Sequence, residues 1–248
     1  MDKLNTVFWD LDGTLADTEM SVHRKAFNLA FSDYRLGCYW SKKDYLNLLD
    51  VGGGKQRIYS FFKDIDKQIK PSLINDLHRR KQYHYNILLE KSQNLLRIGV
   101  LNLVYELYSL KINQFIVTTS CKSSVNVFLK KFFSTPFNPF NGVIAGDDVK
   151  CRKPDPEAYL LALELSQSNP LNSIVIEDSL IGLRSAKAAG IKCLITLSPW
   201  LSSISSEMLK ADLIVDHLGD SNRPIEILHG FTRETIVNYE CLSTLLEE

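Results

Sequence analysis

Two aspartates separated by one residue follow the first short apolar run of the chain. Asp10 and Asp12 stand in FWDLDGTLADTE, residues 8–19. Residues two apart in an extended chain point to the same face, so both carboxylates project together. Because like charges this close repel, one of them must hold a cation or a proton, which suits phosphate chemistry. A polar loop with a simple Asp-Gly turn is the alternative.

Three hydroxyl-bearing residues follow a second apolar run, QFIV. Thr118, Thr119 and Ser120 stand just before a helical pattern that begins near Ser123. Hydroxyls and backbone N–H groups between a strand and a helix can cradle phosphate oxygens. Ser and Thr are also common helix caps, so this segment alone does not decide between the two roles.

A lysine and a second acidic pair complete the set of chemical residues. Lys153, in CRKPDPEAY, precedes a helix start at 155–156, and its ammonium can shield a phosphoryl group. Glu177 and Asp178 follow the apolar run SIVI, and carboxylates there suit a hard cation. A solvated loop lysine, and helix capping by Asp178 or Ser179, are the alternatives.

These residues need a frame that brings several strand ends together. Helical patterns over 99–110, 123–133, 156–165 and 180–189 alternate with short apolar runs rich in Val, Ile or Phe. The runs predict buried parallel strands at 6–10, 114–118, 142–146, 173–178, 192–196 and 211–215. The alternation predicts an α/β class: a doubly wound, Rossmann-like parallel sheet, which binds ligands at the carboxyl ends of its strands.

The stretch from about Glu19 to Leu95 breaks this alternation. It has helical periodicity and no convincing strand, and a crossover helix needs far fewer residues. We predict a catalytic core made of residues 1–18 and 96–248, with an inserted all-helical cap domain at residues 19–95. The last thirty residues are expected to form a helical tail.

Two basic clusters fall inside the predicted insert. In the first, Gly52, Gly53 and Gly54 free backbone N–H groups for an anion, with Lys55 and Arg57 alongside. Three glycines ahead of a helix cost conformational entropy, which favours a functional reason for them.

The second basic cluster is LHRRK. His78 and Lys81 are three residues apart and share a helix face, and Arg79 and Arg80 lie between them. A run of charges is often a solvated face, and this alternative stays open for Arg79 and Arg80.

Composition excludes several classes of protein. The 248 residues contain 29 Lys plus Arg and 29 Asp plus Glu, so we expect no nucleic-acid or membrane partner. Five cysteines without a CxxC pair indicate neither a disulfide framework nor a structural zinc site. With no apolar run near eighteen residues and no signal peptide, we expect a cytoplasmic protein, or a stromal one if the gene is plastid-encoded.

In order, the motifs resemble those of the haloacid dehalogenase superfamily. Along the chain, DxDGT follows one predicted strand and a Thr follows the next. A Lys-Pro pair comes after them, and Glu-Asp follows a later strand. The resemblance covers about residues 5–18 and 96–218. It implies a phosphatase in which Asp10 is the nucleophile and Asp12 the general acid and base. Thr118 would bind the phosphoryl group and Lys153 would stabilise its charge.

The same resemblance implies a magnesium cofactor. Mg²⁺ would be held by the carboxylates of Asp10 and Asp178 and by the carbonyl of Asp12, with Glu177 supporting these ligands from behind. Cys121 departs from the pattern, because many relatives have an Asn or a basic residue there.

Further segments resemble the CbbY subfamily, which accompanies Rubisco and is similar in fold to β-phosphoglucomutase. These are DTE at 17–19, HRKAFN, LLDVGGGKQRI, LHRRK and VIEDSLIGLRSAKAAG. The resemblance implies a Calvin-cycle phosphatase for xylulose-1,5-bisphosphate, a misfire product that inhibits Rubisco. The cap then supplies a second phosphate site, and we expect a monomer with a phosphosugar substrate. The predicted substrate-binding residues are Glu19, Gly52, Gly53, Gly54, Lys55, His78, Arg79, Lys81, Thr119 and Ser120.

Other functions stay open on this sequence. A phosphohexose mutase like β-phosphoglucomutase, or a phosphatase for another small phosphosugar, would use the same motifs. A regulator that binds a sugar phosphate without cleaving it is the alternative from another class, although all four motif positions carry competent residues.

Overall fold

A seven-stranded sheet forms the centre of the molecule. The computed structural model describes residues 3–49, 51–133, 138–201 and 203–247. In spatial order the strands are β3 (Gly142–Ile144), β2 (Asn113–Val117), β1 (Thr6–Trp9), β4 (Ser173–Glu177), β5 (Lys192–Thr196), β6 (Leu213–Val215) and β7 (Ile227–His229). Strands β1 to β6 are parallel and β7 is antiparallel to β6, which confirms the predicted fold class.

Five helices accompany the sheet. They are α5 (Val100–Ser109), α6 (Lys122–Phe132), α7 (Glu157–Ser166), α8 (Leu180–Ala188) and α9 (Tyr239–Glu247), numbered after four helices of the insert. The four predicted core helices are confirmed to within one residue at each end. The expectation of a helical tail is wrong in part, because β7 lies there and, among the described residues of the tail, only those of α9 are helical. With three residues, β7 is too short to show a strand period.

The strands bury both faces, which explains their unbroken apolar runs. Val7 and Trp9 point into one cluster, together with Leu103 of α5. Phe8 points into the opposite cluster, together with Tyr159 of α7. This alternation along β1 is the expected period of a strand, and helices cover the apolar residues on each side.

Helices between β1 and α5 surround a cluster of their own. A π-helical turn (Glu19–His23) continues into α1 (Arg24–Asp33), followed by α2 (Lys42–Asn47), α3 (Gly54–Asp64) and α4 (Pro71–Lys91). The cluster is aromatic, with Phe27, Phe31, Trp40 and Tyr45 in contact. No helix in the described ranges is long and apolar enough to cross a membrane.

Arg97 fastens the chain to the sheet where it returns from the insert. Its guanidinium donates to four backbone carbonyls, those of Gly13, Thr196, Leu197 and Asp216. Its side chain is buried among these acceptors, which lie after β1, at the end of β5 and after β6. One cation therefore joins three loops at the carboxyl edge of the sheet.

We expect Arg97→Met to lower the free energy of unfolding by about 2–4 kcal/mol, because each buried carbonyl left without a donor is costly. Urea denaturation measures this loss. The control is Arg223→Met, since Arg223 is largely exposed and pairs only with Asp220; its effect should stay within about 0.5 kcal/mol. Equal losses in the two variants would contradict the fastening role of Arg97.

Candidate active site

Asp10 stands at the point where the sheet connections diverge. It is the first residue after β1, which lies between β2 and β4, and its N–H donates to the carbonyl of Ile176 at 3.0 Å. Open α/β sheets bind ligands outside the carboxyl ends of their strands at such a point. The side chain is buried at this edge.

Lys153 connects Asp10 to the neighbouring strand. Its ammonium donates to Oδ1 of Asp10 at 2.8 Å, to Oε1 of Glu177 at 2.6 Å and to the carbonyl of Val117 at 2.7 Å. Burial alone would lower the pKa of Lys153, but the carboxylates of Asp10 and Glu177 outweigh it and raise that pKa above its usual value. The lysine is therefore a fixed cation with all three protons in use.

Glu177 is held in place by its own set of donors. Oε1 also accepts from the Tyr159 hydroxyl at 2.9 Å, and Oε2 accepts from the N–H of Asp178 and the hydroxyl of Ser179. A Cβ at Gly182 would lie 1.9 Å from the carboxyl carbon of Glu177. The glycine at the start of α8 therefore makes room for this carboxylate.

Asp10, Glu177 and Asp178 form a buried acidic cluster with carboxylate oxygens within 4.8 Å of one another. Burial and the nearby Glu177 raise the pKa of Asp10, against Lys153, and raise that of Asp178 to about 7, against a hydrogen bond from Ser198. Three carboxylates facing one ammonium leave an excess of negative charge that a divalent cation would neutralise. The oxygens of Glu177 are already engaged, so Asp10 and Asp178 fit best as ligands.

Asp12 is surrounded by donors instead. The hydroxyls of Thr18 and Ser120 donate to its two oxygens at 2.5 Å, and Nε2 of His23 lies 2.9 Å from Oδ1. Burial alone would raise the pKa of Asp12, but His23 and the two hydroxyls hold it well below its usual range. In this arrangement Asp12 is an ionised carboxylate, ready to accept a proton.

The hydroxyl segment after β2 faces the same edge. Thr118 is buried, and its Oγ1 accepts from the N–H of Ser120 at 3.1 Å. Ser120 in turn reaches Asp12, and Cys121 precedes the first residue of α6. The segment therefore forms a turn beside the two aspartates, as a phosphate-binding loop requires.

Two adjoining cavities lie over these residues. Glu19, Arg57 and Thr119 line both of them. The inner cavity is also lined by Asp10, Asp12, Leu49, Thr118, Lys153, Asp178, Ser179 and Ile181. The outer cavity is also lined by His23, Phe27, Gly53, Gly54, His78, Lys81, Gln82, Ser120, Cys121 and Arg152.

A buried ion pair stands at the border of the two cavities. Oε2 of Glu19 accepts from the Tyr45 hydroxyl at 2.5 Å, and Nη1 of Arg57 lies 3.3 Å from Oε1. Arg57 also donates to the carbonyl of Val51 at 3.0 Å. The carboxylate of Glu19, a predicted substrate-binding residue, is thus held at the cleft by two partners from the insert.

The structure brings most predicted residues to the cleft, but leaves Gly52, Lys55 and Arg79 outside the lining of both cavities. A Cβ at Gly52 would lie 2.7 Å from the carbonyl oxygen of Lys153, so this glycine allows close packing between two loops. Lys55 is exposed. It is the second residue of α3, which begins at Gly54, and the buried face of that helix begins two residues after it, at Arg57.

The LHRRK segment divides according to helix faces. His78 and Lys81 line the outer cavity and share a face of α4, as predicted. Arg79 points away, with a side chain that is 78% exposed and paired with Asp76. Arg80 pairs with Asp33. Consecutive residues on a helix lie about 100° apart, so a basic run cannot present every charge to one cavity.

Sequence reasoning missed several lining residues. Arg57 was predicted to lie alongside the glycines but not among the substrate-binding residues, although its spacing from Gly54 places it on the inner face of α3. Arg152 directly precedes Lys153 in a recognised motif. His23 stands in the HRKAFN segment, but no role was predicted for it, because its contacts with Asp12 and with the Lys81 ammonium at 2.7 Å exist only in the folded chain.

The chain is similar in sequence to known hydrolases. A family model described as haloacid dehalogenase-like hydrolase matches residues 7–196. Protein CbbY of Cereibacter sphaeroides is 34% identical over 218 residues, which cover 88% of this chain and 94% of that protein. A CBBY-like protein of Arabidopsis thaliana is 33% identical over 87% of this chain and 70% of its own length.

Solved structures show the same similarity. CbbY from Rhodobacter sphaeroides in complex with phosphate has a TM-score of 0.78 and 32% identity, covering 86% of this chain and 94% of that one. Its D10N variant in complex with xylulose-1,5-bisphosphate has a TM-score of 0.79 and 31% identity, covering 88% and 98%. β-Phosphoglucomutase from Clostridium difficile shares the fold at 22% identity, with a TM-score of 0.72 over 86% and 91%.

The acidic cluster makes metal binding dependent on pH. The pKa of Asp178 is raised to about 7, so below that pH the folded protein holds a proton that Mg²⁺ must displace. We expect the rise in melting temperature caused by millimolar Mg²⁺ to be larger at about pH 8 than at about pH 5.5. Thermal denaturation with and without a chelator measures it.

The matched variants are Asp178→Asn and Asp66→Asn. The first removes a proposed ligand and should lose most of the Mg²⁺ response at both pH values. The second changes an exposed aspartate that is not part of the cluster and lines neither cavity, and it should keep the response. An undiminished Mg²⁺ response in Asp178→Asn would exclude Asp178 as a ligand.

Proposed function

The chain belongs to the haloacid dehalogenase-like hydrolase family and, within it, to the CbbY-like phosphatases, and from this premise we propose that it removes one phosphate from xylulose-1,5-bisphosphate. A substrate with two phosphates requires two anion sites. The observation that supports this substrate is the pair of adjoining cavities, one around Asp10 and the other lined with cationic residues. The CbbY structure with xylulose-1,5-bisphosphate supports the same substrate class.

The first half of the proposed reaction takes place at Asp10. Lys153 holds Oδ1 of Asp10, and Oδ2 attacks the phosphorus atom while the bond from phosphorus to the sugar oxygen breaks. The electron pair stays on the sugar oxygen, which takes a proton from Asp12. Thr118 and Lys153 face the phosphoryl group, and Mg²⁺ held by Asp10, Asp178 and the Asp12 carbonyl would neutralise its oxygens when bound.

The second half restores the enzyme. Water attacks the phosphorus of the phospho-aspartate, Asp12 accepts the proton of that water, and the bond between Oδ2 of Asp10 and phosphorus breaks to release phosphate. The described arrangement suits this half, since Asp12 is ionised. For the first half, Asp12 must hold a proton, and the proton that it accepts from water in one turnover is the one that it gives to the sugar oxygen in the next.

We propose that the insert, residues 19–95, acts as the cap predicted from the sequence. It supplies Glu19, Arg57, His78 and Lys81 to the cleft, whereas the nucleophile and Lys153 come from the sheet side. Glu19, fixed by Arg57 and Tyr45, would then contact sugar hydroxyls near the border of the two cavities. A cap of this kind would hold the sugar in position over Asp10.

A mutase of the phosphohexose type is the second candidate on this scaffold. It would keep its phospho-aspartate away from water until the sugar reorients, and would release little free phosphate. The similarity to β-phosphoglucomutase is at the level of fold, while the CbbY proteins share about a third of the sequence. The relatives therefore favour the phosphatase.

The deciding experiment is an assay of free phosphate released from xylulose-1,5-bisphosphate in the presence of Mg²⁺. We expect prompt release of one phosphate per sugar. Asp10→Asn should lower this rate, and the rate on a small aryl phosphate, by at least about a thousandfold with the fold retained, because the attacking group is lost.

Asp66→Asn serves again as the control for an exposed aspartate and should keep both activities. Sugar isomerisation without stoichiometric phosphate would favour the mutase. An aryl phosphatase activity that persists in Asp10→Asn would exclude Asp10 as the nucleophile.

The role of Asp12 predicts a dependence on the leaving group. Asp12→Asn cannot protonate a sugar alkoxide, so formation of the phospho-aspartate from a sugar phosphate should slow by about 10²–10⁴-fold. An aryl phosphate with a stable leaving group should lose much less in this step. Rapid-quench measurement of the first half-reaction compares the two, and equal losses would contradict the acid role.

A further inference from the structure

Arg152 lies between the two loops that meet over the outer cavity. It is half-buried and lines that cavity with Gly53, Gly54 and His78. A Cβ at Gly53 would lie 2.7 Å from Nη1 of Arg152, and one at Gly146 would lie 3.3 Å from its Cζ. The side chain therefore runs along two glycines, one in the insert and one after β3, where larger residues would crowd it.

The other cations of the outer cavity already have partners. Lys81 donates to Gln82 at 2.8 Å and contacts Nδ1 of His23, and Arg57 pairs with Glu19. For the guanidinium of Arg152, by contrast, the described part of the chain offers no acceptor within hydrogen-bond distance. Arg152 is thus the basic group of this cavity that is available for an added anion.

The surroundings of the cavity carry a surplus of positive charge. Burial, together with the nearby charges of Lys81, Lys55 and Arg152, lowers the pKa of His78 to about 3. His78 is therefore neutral and can act as a hydrogen-bond donor or acceptor toward a ligand. An anion entering the cavity would relieve the repulsion among these cations.

We propose that Arg152 binds the phosphate of the substrate that is not cleaved, and that it selects bisphosphates over monophosphates. This assignment rests on the proposed function. A guanidinium presents a planar pair of donors that matches two phosphate oxygens. Lys153, the next residue, turns to the inner cavity and holds Asp10. Two consecutive residues of one loop would thus face the two phosphates of one substrate.

This arrangement assigns the distal phosphate to a cation carried by the sheet side of the cleft. Lys55, the basic residue of the glycine-rich segment, stays exposed, and the glycines instead leave room for Arg152. Binding at Arg152 would use a remote group of the substrate to position the reacting phosphate next to Asp10.

The test compares Arg152→Gln with Lys150→Gln on two substrates. Both variants remove one positive charge from the same loop, but Lys150 is exposed and lines neither cavity. We expect Arg152→Gln to lower kcat/KM for xylulose-1,5-bisphosphate about ten- to a hundredfold, the effect of losing a charge-assisted hydrogen bond. Hydrolysis of a small aryl phosphate should change less than about twofold, and Lys150→Gln should leave both substrates nearly unaffected.

The outcomes separate this inference from the proposed substrate. If the wild-type enzyme hydrolyses the aryl phosphate but not xylulose-1,5-bisphosphate, the proposed substrate fails, and the comparison is repeated on the best sugar bisphosphate of a panel. Equal losses on bisphosphate and aryl phosphate in Arg152→Gln would overturn the assignment, as would no loss on either. An enzyme that accepts sugar monophosphates and no bisphosphate would overturn both.

Discussion

The buried ammonium of Lys153 is the interaction on which the rest of the site depends. Asp10 and Glu177 are carboxylates withdrawn from water at neighbouring strand ends, and without a cation between them their charges would repel at high cost. The hydroxyl of Tyr159 holds Glu177 in place, and Gly182 leaves room for its carboxylate. Glu177 in turn holds Lys153. The orientation of Asp10 is therefore set by residues from two other segments of the chain, 153–159 and 177–182.

The parallel sheet supplies the geometry for this arrangement. Because β2, β1 and β4 are adjacent and parallel, the residues that follow them emerge at one edge, which places Thr118, Asp10 and Asp178 together. The aspartates at this edge differ in their charge environment. Asp12 is surrounded by donors and stays ionised, while Asp178 is crowded by another carboxylate, so the same side chain is suited to proton transfer in one place and to metal binding in the other.

The sheet and the residues at its edge were predictable from the sequence, because strand ends and motif order are local patterns. The short strand β7 and the break in the C-terminal tail were not, since three residues carry no period. In the insert, the glycines indicated the loop at the cleft. Both Lys55 and Arg57 were predicted beside them, and only the start of α3 sets which of the two side chains faces inward. His23 was missed because its partners, Asp12 and Lys81, come from distant parts of the chain.

The helix α4 spans both halves of the molecule. Its first half contributes Leu77 to the aromatic cluster of the insert, and its second half contributes Leu89 to the cluster beneath the sheet. Lys131 of α6 donates to the carbonyl oxygens of Leu89 and Glu90 at its end, and Gln82 donates to the Ser124 hydroxyl at 2.9 Å. The helix α4 thus joins the insert to the sheet side, in addition to the two chain connections of the insert. A movement of the insert relative to the sheet must therefore slide or bend α4 along α6.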